Sequence, residues 1–310
     1  MLYVNEIDYF VPENKVPLMQ LTDRYQLSPV EMSVFNRLYG LDKVPISDVT
    51  IFQMIRQVVG ELLKKSAVER SQIKYLVYTH TAQEYDGFFA TVLKRVCASL
   101  GLSQARCFGM TTNNCASTVS ALDVLARVLN SSDEPQSAVL VTADVAFTPI
   151  LQVIPNSSVT GDACVACLLS NHSDTGGKLL SLAVDTHGEH AKCQWQEAAE
   201  MKRFEDLYSA RLTGVMQQAL AEADCEWADV ATVIPHNVNV YSWKKVAAEL
   251  GLEMQKIYLD QVPEIAHCFG ADLFLNLAKA TEQGRVKTGD RVMIATVGLG
   301  AVFAAAVLQF

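Results

Sequence analysis

Two patterns of apolar residues alternate along the chain. Short continuous apolar runs are typical of strands buried on both faces, and apolar residues three or four positions apart are typical of amphipathic helices. Residues 116–144 and residues 271–298 each combine an amphipathic helix, a polar loop and a buried strand, in that order. Because such strands need cover on both sides, the pattern predicts helices packed over a mostly parallel sheet.

A similar order of elements recurs in the two parts of the chain. Residues 66–80 and 223–237 both contain the end of a helix, a polar turn and an apolar run that ends in polar residues. Two related halves of this kind predict an α/β protein with five layers, α/β/α/β/α. We place the N-terminal half at residues 1–172 and the C-terminal half at residues 173–310.

The composition is that of a well-buried globular protein, because half of the 310 residues are apolar and 19% are charged. The net charge of −9 and the lack of a basic block argue against nucleic acid as a partner. No run of 18 or more apolar residues predicts a membrane span, so we expect no membrane partner. The first residues do not follow the pattern of a secretory signal peptide.

The cysteines favour a reducing environment. Eight cysteines are spread along the chain without the spacing of a small disulfide-rich domain, so we expect reduced thiols and a cytoplasmic location. Cys164 and Cys167 form a CxxC inside an apolar run, with no second pair elsewhere. We therefore expect no metal site.

Cys115 lies where a predicted helix begins. After it, Val119, Leu122, Leu125 and Leu129 form one apolar stripe. The unpaired N–H groups and the dipole at a helix N-terminus favour an anion, so a thiolate nucleophile suits this position. The alternative is a buried structural cysteine, which is common in protein interiors.

Two histidines and a glycine turn lie downstream. His236 follows the apolar run that ends at Pro235, and His267 precedes a glycine-containing turn and a helix. Side chains at strand ends point out of the sheet edge, where α/β proteins place their chemistry, and histidine can act there as a base or donor. The alternative for His236 is a loop histidine that caps the next helix. Gly298 and Gly300 let the backbone approach a ligand and present an N–H to an oxyanion, although ordinary tight turns have the same pattern.

Together these segments resemble the ketoacyl-acyl-carrier-protein synthase III family of thiolase-fold condensing enzymes. The resemblance runs along most of the chain, through residues 101–129, 137–145, 158–170, 234–252 and 282–310. It implies a thiolase-like fold of two pseudo-duplicated halves, with Cys115 as the nucleophile. His236 opens the segment HNVN, where the family has His-Gln-Ala-Asn, and so matches the catalytic histidine. Gly300 matches a glycine whose N–H joins that of Cys115 in an oxyanion hole.

The resemblance also implies the surroundings of the site. Phe89 falls where the family places a phenylalanine that reaches into the acyl pocket of the other subunit, which implies a homodimer. Asn237 and Gly298 are expected to line the substrate pocket with it. The implied substrates are acyl thioesters of coenzyme A or of an acyl carrier protein, with no metal and no other cofactor.

Three departures from the family pattern change the expected chemistry. The family's catalytic asparagine is replaced by His267, and a Cys-His-His set resembles the elongating ketoacyl synthases, which decarboxylate malonyl groups. Arg37 is the only remnant of the residues that hold coenzyme A. The arginine that docks a carrier protein is Tyr241 here, which leaves Lys244 and Lys245 for that role. The alternative for these two lysines is a solvated helix face.

The expected function is acyl transfer through Cys115. An acyl-Cys115 intermediate would condense with a malonyl-type thioester held by His236 and His267, with loss of CO₂, in fatty acid or specialised polyketide-type biosynthesis. One alternative keeps the acyl-cysteine but transfers the acyl group to an amine or alcohol without decarboxylation. Another alternative is a non-catalytic subunit that pairs with an active homologue.

Overall fold

The computed structural model describes residues 1–66, 68–81, 91–173 and 176–310. The strands are β1 (Tyr3–Phe10), β2 (Lys15–Pro17), β3 (Lys43–Pro45), β4 (Ile73–Thr79), β5 (Arg106–Met110), β6 (Ser137–Asp144), β7 (Val153–Ile154), β8 (Ser158–Val159), β9 (Ala163–Ser170), β10 (Gly177–Thr186), β11 (Val230–Pro235), β12 (Arg291–Gly298) and β13 (Val302–Gln309). The α-helices are α1 (Thr22–Tyr25), α2 (Pro29–Ser33), α3 (Ile51–Lys65), α4 (Val92–Leu100), α5 (Ser117–Leu129), α6 (Pro149–Gln152), α7 (Ala198–Glu222), α8 (Val240–Leu250), α9 (Val262–Ile265) and α10 (Asp272–Glu282).

One mixed sheet organises the described part of the chain. Its strand order is β11-β12-β13-β10-β1-β9-β6-β4-β5. The pairs β4–β5, β4–β6 and β11–β12 are parallel, and the other neighbours are antiparallel. The α/β class is confirmed, but the prediction of a mostly parallel sheet is wrong. A continuous apolar run shows only that both faces of a strand are covered, and that also holds for the antiparallel strands β9 and β13.

Helices cover the sheet in three layers. α5 contacts β4 and β6 as well as β10 and β13, and α10 contacts β1 and β9 as well as β11 and β12. These two helices therefore form the middle layer. α3 packs on β1, β6 and β9, whereas α7 packs on β10, β12 and β13, so each gives an outer layer. The middle helices lie between the two halves of the sheet, β5-β4-β6-β9-β1 and β10-β13-β12-β11, so the order α/β/α/β/α is the predicted five-layer arrangement. The division of the chain at residue 172 stays a prediction.

The two middle helices begin at the same place. α5 follows a 3-10 turn at Asn114–Ala116, and α10 follows another at Phe269–Ala271. The two turns contact each other. The apolar stripe of α5, which includes Val119 and Leu122, is fully buried, so the helix is fixed by its packing. The N-termini of α5 and α10 therefore meet in the interior of the protein.

Candidate active site

Cys115 lies in the turn Asn114–Ala116 that leads into α5, and only 6% of its surface is exposed. The turn is held against the loop between β12 and β13, because Asn114 Nδ2 donates a hydrogen bond to the carbonyl of Leu299 (2.5 Å). Helix α5 anchors the other side of the turn. The position of the sulfur is thus set by rigid elements of both halves of the sheet.

Cys115 contacts a histidine, and this histidine contacts a buried carboxylate. Nε2 of His267 lies 3.4 Å from Cys115 Sγ, and Nδ1 of His267 lies 2.5 Å from Asp272 Oδ2. Asp272 is the first residue of α10 and is completely buried. Its carboxylate also accepts hydrogen bonds from the backbone N–H groups of Cys268 (2.8 Å) and Asn237 (2.6 Å). The result has the geometry of a nucleophile, a base and an orienting carboxylate.

The charge of His267 is set by its two partners. Burial alone would lower the pKa of this histidine, because it disfavours the charged imidazolium. The Asp272 carboxylate and Cys115 outweigh burial and raise the pKa of His267 to about 10. His267 is therefore protonated at neutral pH, with one N–H directed at Asp272 and the other at the cysteine sulfur.

His236 lies beside this set in the opposite protonation state. It follows β11, and its ring centroid is 6.0 Å from that of His267. Its Nε2 lies 2.8 Å from the hydroxyl of Tyr208, its Nδ1 lies 3.4 Å from the carbonyl of Ala295, and its own carbonyl accepts a hydrogen bond from Trp243 Nε1 (2.9 Å). Burial, followed by the nearby charge of His267, lowers the pKa of His236 to about 3. It is neutral at physiological pH.

The buried, neutral His236 should make the protein sensitive to acid. As the pH falls below 6.5, the unfolded chain binds a proton at this residue and the folded chain does not, so the free energy of unfolding should fall by about 2 kcal/mol between neutral pH and pH 5. Urea unfolding of wild type and His236→Gln at both pH values measures this term, which should be missing from the variant. The exposed His172 provides the control, since His172→Gln should keep the wild-type pH dependence. An equal loss in His236→Gln and wild type would contradict the prediction.

The raised pKa of His267 has the opposite effect on how stability depends on pH. Its stabilising contribution is fully present below pH 6.5, the ordinary histidine pKa, and is lost as the pH rises through about 10. The two neighbouring histidines therefore limit stability at opposite ends of the pH range.

Two cavities meet at the cysteine. The larger, of about 380 Å³, is lined by Cys115, His236, His267, Tyr208, Glu205 and Met201, among others. The smaller, of about 190 Å³, is lined mainly by apolar groups and includes Cys115, Cys193, Leu151, Trp195 and Phe269. Tyr39 and Tyr241 stack on each other at the larger cavity, and the Lys245 ammonium lies 4.6 Å from the ring centroid of Tyr241. Cys115 therefore lines two cavities, of which the smaller is the more apolar.

The glycines of the final turn pack against the cysteine loop. A Cβ added to Gly298 would lie 2.0 Å from the carbonyl oxygen of Asn113 and 3.0 Å from the amide nitrogen of Ala116. Gly298 thus serves the close approach of two backbones, and it is not among the residues lining either cavity. Gly300 has φ +128°, which favours glycine, and lies near Cys193. Its role in an oxyanion hole stays a prediction.

The other predicted residues differ in their distance from the cavity. Asn237 lies behind it, where its side chain donates to Asp272 Oδ1 (3.3 Å). Arg37 and Lys244 are exposed and do not line the cavity, whereas Lys245 does. Phe89 lies outside the described residues. The structure therefore brings Cys115, His236 and His267 together, and it separates Arg37 and Lys244 from them.

Two residues of this site were missed in the sequence. The sequence held a weak signal for Asp272, because this acidic residue lies at a predicted helix start, five positions after His267. Tyr208 carried none, because it lies in the middle of α7, far in sequence from His236. Its role depends on how an outer helix packs over β12 and β13.

Neither a metal centre nor a membrane helix is found in the part of the chain that the structure describes. Over those ranges, no group of three or more histidine, cysteine, aspartate or glutamate side chains could hold a metal ion. In the same ranges, the helices are too short or too polar to cross a bilayer.

Fold and site together define a thiolase-like α/β protein with a buried cysteine, histidine and aspartate in contact. Residues 220–310 match the family model described as 3-Oxoacyl-[acyl-carrier-protein (ACP)] synthase III C terminal. The beta-ketoacyl-[acyl-carrier-protein] synthase III of Nitratidesulfovibrio vulgaris strain DP4 is 33% identical over 175 residues, which are 56% of this chain and 50% of that protein. The chain thus spans about half the length of this curated relative. The expected resemblance to the synthase III proteins is confirmed.

Solved structures give the same fold over the whole chain. ChlB3, described as an acyltransferase, superposes with a TM-score of 0.87 over 99% of this chain and 97% of its own, at 19% identity. The 3-oxoacyl-[acyl-carrier-protein] synthase III of Aquifex aeolicus superposes with a TM-score of 0.83 over 100% of both chains, at 18% identity. These likenesses confirm the thiolase-like fold.

Proposed function

We propose that this protein is an acyltransferase that carries its acyl group on Cys115 and passes it to an amine or alcohol without decarboxylation. The observation that supports this most is the contact of Cys115 with His267 and of His267 with Asp272. A nucleophile, a base and an orienting carboxylate in this order catalyse acyl transfer on several unrelated folds. The description of ChlB3 as an acyltransferase agrees with it.

In the first step, the Cys115 thiolate attacks the carbonyl carbon of an acyl thioester of coenzyme A or of a carrier protein. The new bond joins that carbon to Cys115 Sγ, and the bond to the original thiol sulfur breaks. Protonated His267 gives its Nε2 proton to the leaving thiolate. We assign the N–H groups of Cys115 and Gly300 to the oxyanion, where one good donor contributes about 3 kcal/mol.

In the second step, neutral His267 acts as the base. It takes a proton from the attacking amine or alcohol while the bond between Cys115 and the acyl carbon breaks. Asp272 holds the Nδ1–H, so Nε2 faces the reacting atoms in the right tautomer, and the carboxylate stabilises the imidazolium that forms again. Every proton taken up in one step is returned in the other, and no further reactant is needed.

The first step can be tested by intact mass. Wild-type protein incubated with acetyl-, octanoyl- and benzoyl-coenzyme A should gain the mass of one acyl group with at least one donor, and Cys115→Ala should gain none. Cys193→Ala is the matched control, because Cys193 also lines the smaller cavity and should not be the acylated sulfur. No gain on wild type, or an equal gain on Cys115→Ala, would refute the proposal. Turnover by the purified chain would also exclude a non-catalytic role.

Decarboxylative condensation is the second candidate. Two imidazoles lie near the cysteine, as in the elongating synthases, and the relatives are named as ketoacyl synthases. Malonyl thioester labelled in its free carboxyl group separates the two reactions. Release of labelled CO₂ in step with product supports condensation, whereas ester or amide formation without CO₂ supports transfer. The homodimer predicted from the sequence is part of this proposal.

A further inference from the structure

The hydroxyl of Tyr208 lies 2.8 Å from Nε2 of His236. Tyr208 lies on α7 and lines the larger cavity. Its ring packs edge-on against Phe204 and Phe303, with centroid distances of 5.8 and 6.0 Å. Packing against these two rings thus holds the phenol in place.

The direction of this hydrogen bond follows from the other contacts of His236. Neutral imidazole has one proton, and the Ala295 carbonyl on the Nδ1 side can only accept. The proton therefore belongs on Nδ1, and Nε2 accepts from the Tyr208 hydroxyl. The Nδ1 contact, at 3.4 Å, is long, whereas the Tyr208 contact, at 2.8 Å, is a strong hydrogen bond. Tyr208 is therefore the main support of this tautomer.

We propose that Tyr208 is a positioning residue which fills the Nε2 lone pair of His236 and so prevents this histidine from donating a proton to a substrate oxygen. This inference rests on the proposed acyl transfer and goes further, because it names the residue that decides against decarboxylation. Tyr208, His236 and Cys115 line the same cavity, and the Tyr208 hydroxyl contacts the nitrogen of His236 that would otherwise be available as a donor.

The consequence concerns the charge that decarboxylation creates. When a malonyl thioester loses CO₂, the C–C bond to the carboxylate breaks, and its electron pair forms an enolate whose negative charge rests on the thioester oxygen. That oxygen needs hydrogen-bond donors. After acylation of Cys115, His267 keeps its proton on the Asp272 side and presents the Nε2 lone pair to the cavity, while the Nε2 of His236 accepts from Tyr208. Neither imidazole then donates an N–H to a bound thioester. Such a site accepts a proton from a nucleophile but does not stabilise an enolate.

The test compares Tyr208→Phe with wild type on a mixture of acyl donor and carboxyl-labelled malonyl-coenzyme A. The measured quantity is the ratio of labelled CO₂ released to acyl-Cys115 formed, the latter by intact mass. Loss of the phenol allows His236 to take the Nε2–H tautomer, so the ratio should rise at least about tenfold, which is less than the effect of one full oxyanion donor. Tyr258→Phe is the control, because its hydroxyl contacts Gln261 outside both cavities, and it should leave the ratio unchanged.

A second measurement reads the tautomer directly in wild-type protein. Two-bond ¹H–¹⁵N correlations of labelled histidine, assigned by the loss of one signal in His236→Gln, should show the proton on Nδ1. A proton on Nε2, or equal CO₂ ratios in Tyr208→Phe and wild type, would overturn the role of Tyr208. If no acyl-Cys115 forms in any variant, the proposed function fails instead, and the tautomer measurement still decides the role of Tyr208.

Discussion

Replacing Asp272 with asparagine is expected to slow acyl transfer through Cys115 by roughly a thousandfold or more. The asparagine amide can donate to Nδ1 of His267. The histidine would then carry its proton on Nε2 and could no longer act as a base toward the acceptor. The loss of the carboxylate also removes an interaction that raises the pKa of His267. The effect should therefore fall on the rate constant for transfer and not on the KM of the donor.

The measurement is single-turnover transfer from preformed acyl-Cys115 over a range of pH. Because the Asp272 carboxylate raises the pKa of His267, the inflection of the transfer rate with pH should lie at lower pH in Asp272→Asn than in wild type. Asp162→Asn is the matched control. Asp162 is also buried and accepts backbone hydrogen bonds, from Ser47 (2.7 Å) and Ala146 (2.8 Å), so its loss tests general destabilisation alone. A rate for Asp272→Asn within tenfold of wild type would remove the carboxylate from the mechanism.

Replacing Gly298 with alanine is expected to cost about 3 kcal/mol of stability, the upper end of the usual range for overpacking. The added Cβ would stand 2.0 Å from the Asn113 carbonyl oxygen, so the loop before Cys115 or the end of β12 must move. Both are backbone and cannot rotate away as a side chain would. Displacement of this loop also moves the sulfur away from His267, so acylation should slow together with the loss of stability.

Urea unfolding of Gly298→Ala and of Gly214→Ala tests whether the contact with Asn113 causes the loss of stability. Gly214 lies inside α7, and a Cβ there would meet nothing within 4 Å. Alanine at that position should be neutral or stabilise by up to about 1 kcal/mol through its helix propensity. Similar changes in the two variants would show that the contact with Asn113 is not the source of the effect.

Features that depend on local pattern could be predicted from the sequence. The stripe after Cys115 identified α5 and placed the cysteine before its first turn, because a helix buries one face at a spacing of three to four residues. The same reasoning found α10 and the end of β11, which is followed directly by His236. Strand direction was missed, because an apolar run has the same composition in a parallel and an antiparallel neighbour.

The protonation states of the histidines could not be read in this way. Both follow apolar segments and look alike in sequence, but burial lowers the pKa of His236 to about 3, while Asp272 and Cys115 raise that of His267 to about 10. The difference comes from which groups lie within a few ångströms, and those groups come from the turn before α5, from α10 and from β12. Tyr208, on α7, was invisible for the same reason.

The sequence by itself determined the α/β class, the position of the cysteine at a helix start and the buried residues of the helices and strands. These features follow from residue spacing along a single segment. Only the tertiary structure decided that the N-termini of α5 and α10 meet, that Asp272 hydrogen-bonds to His267, and that the Tyr208 hydroxyl hydrogen-bonds to Nε2 of His236. Hydrogen bonds and electrostatic shifts act over a few ångströms between segments far apart in sequence, and packing alone brings those segments together.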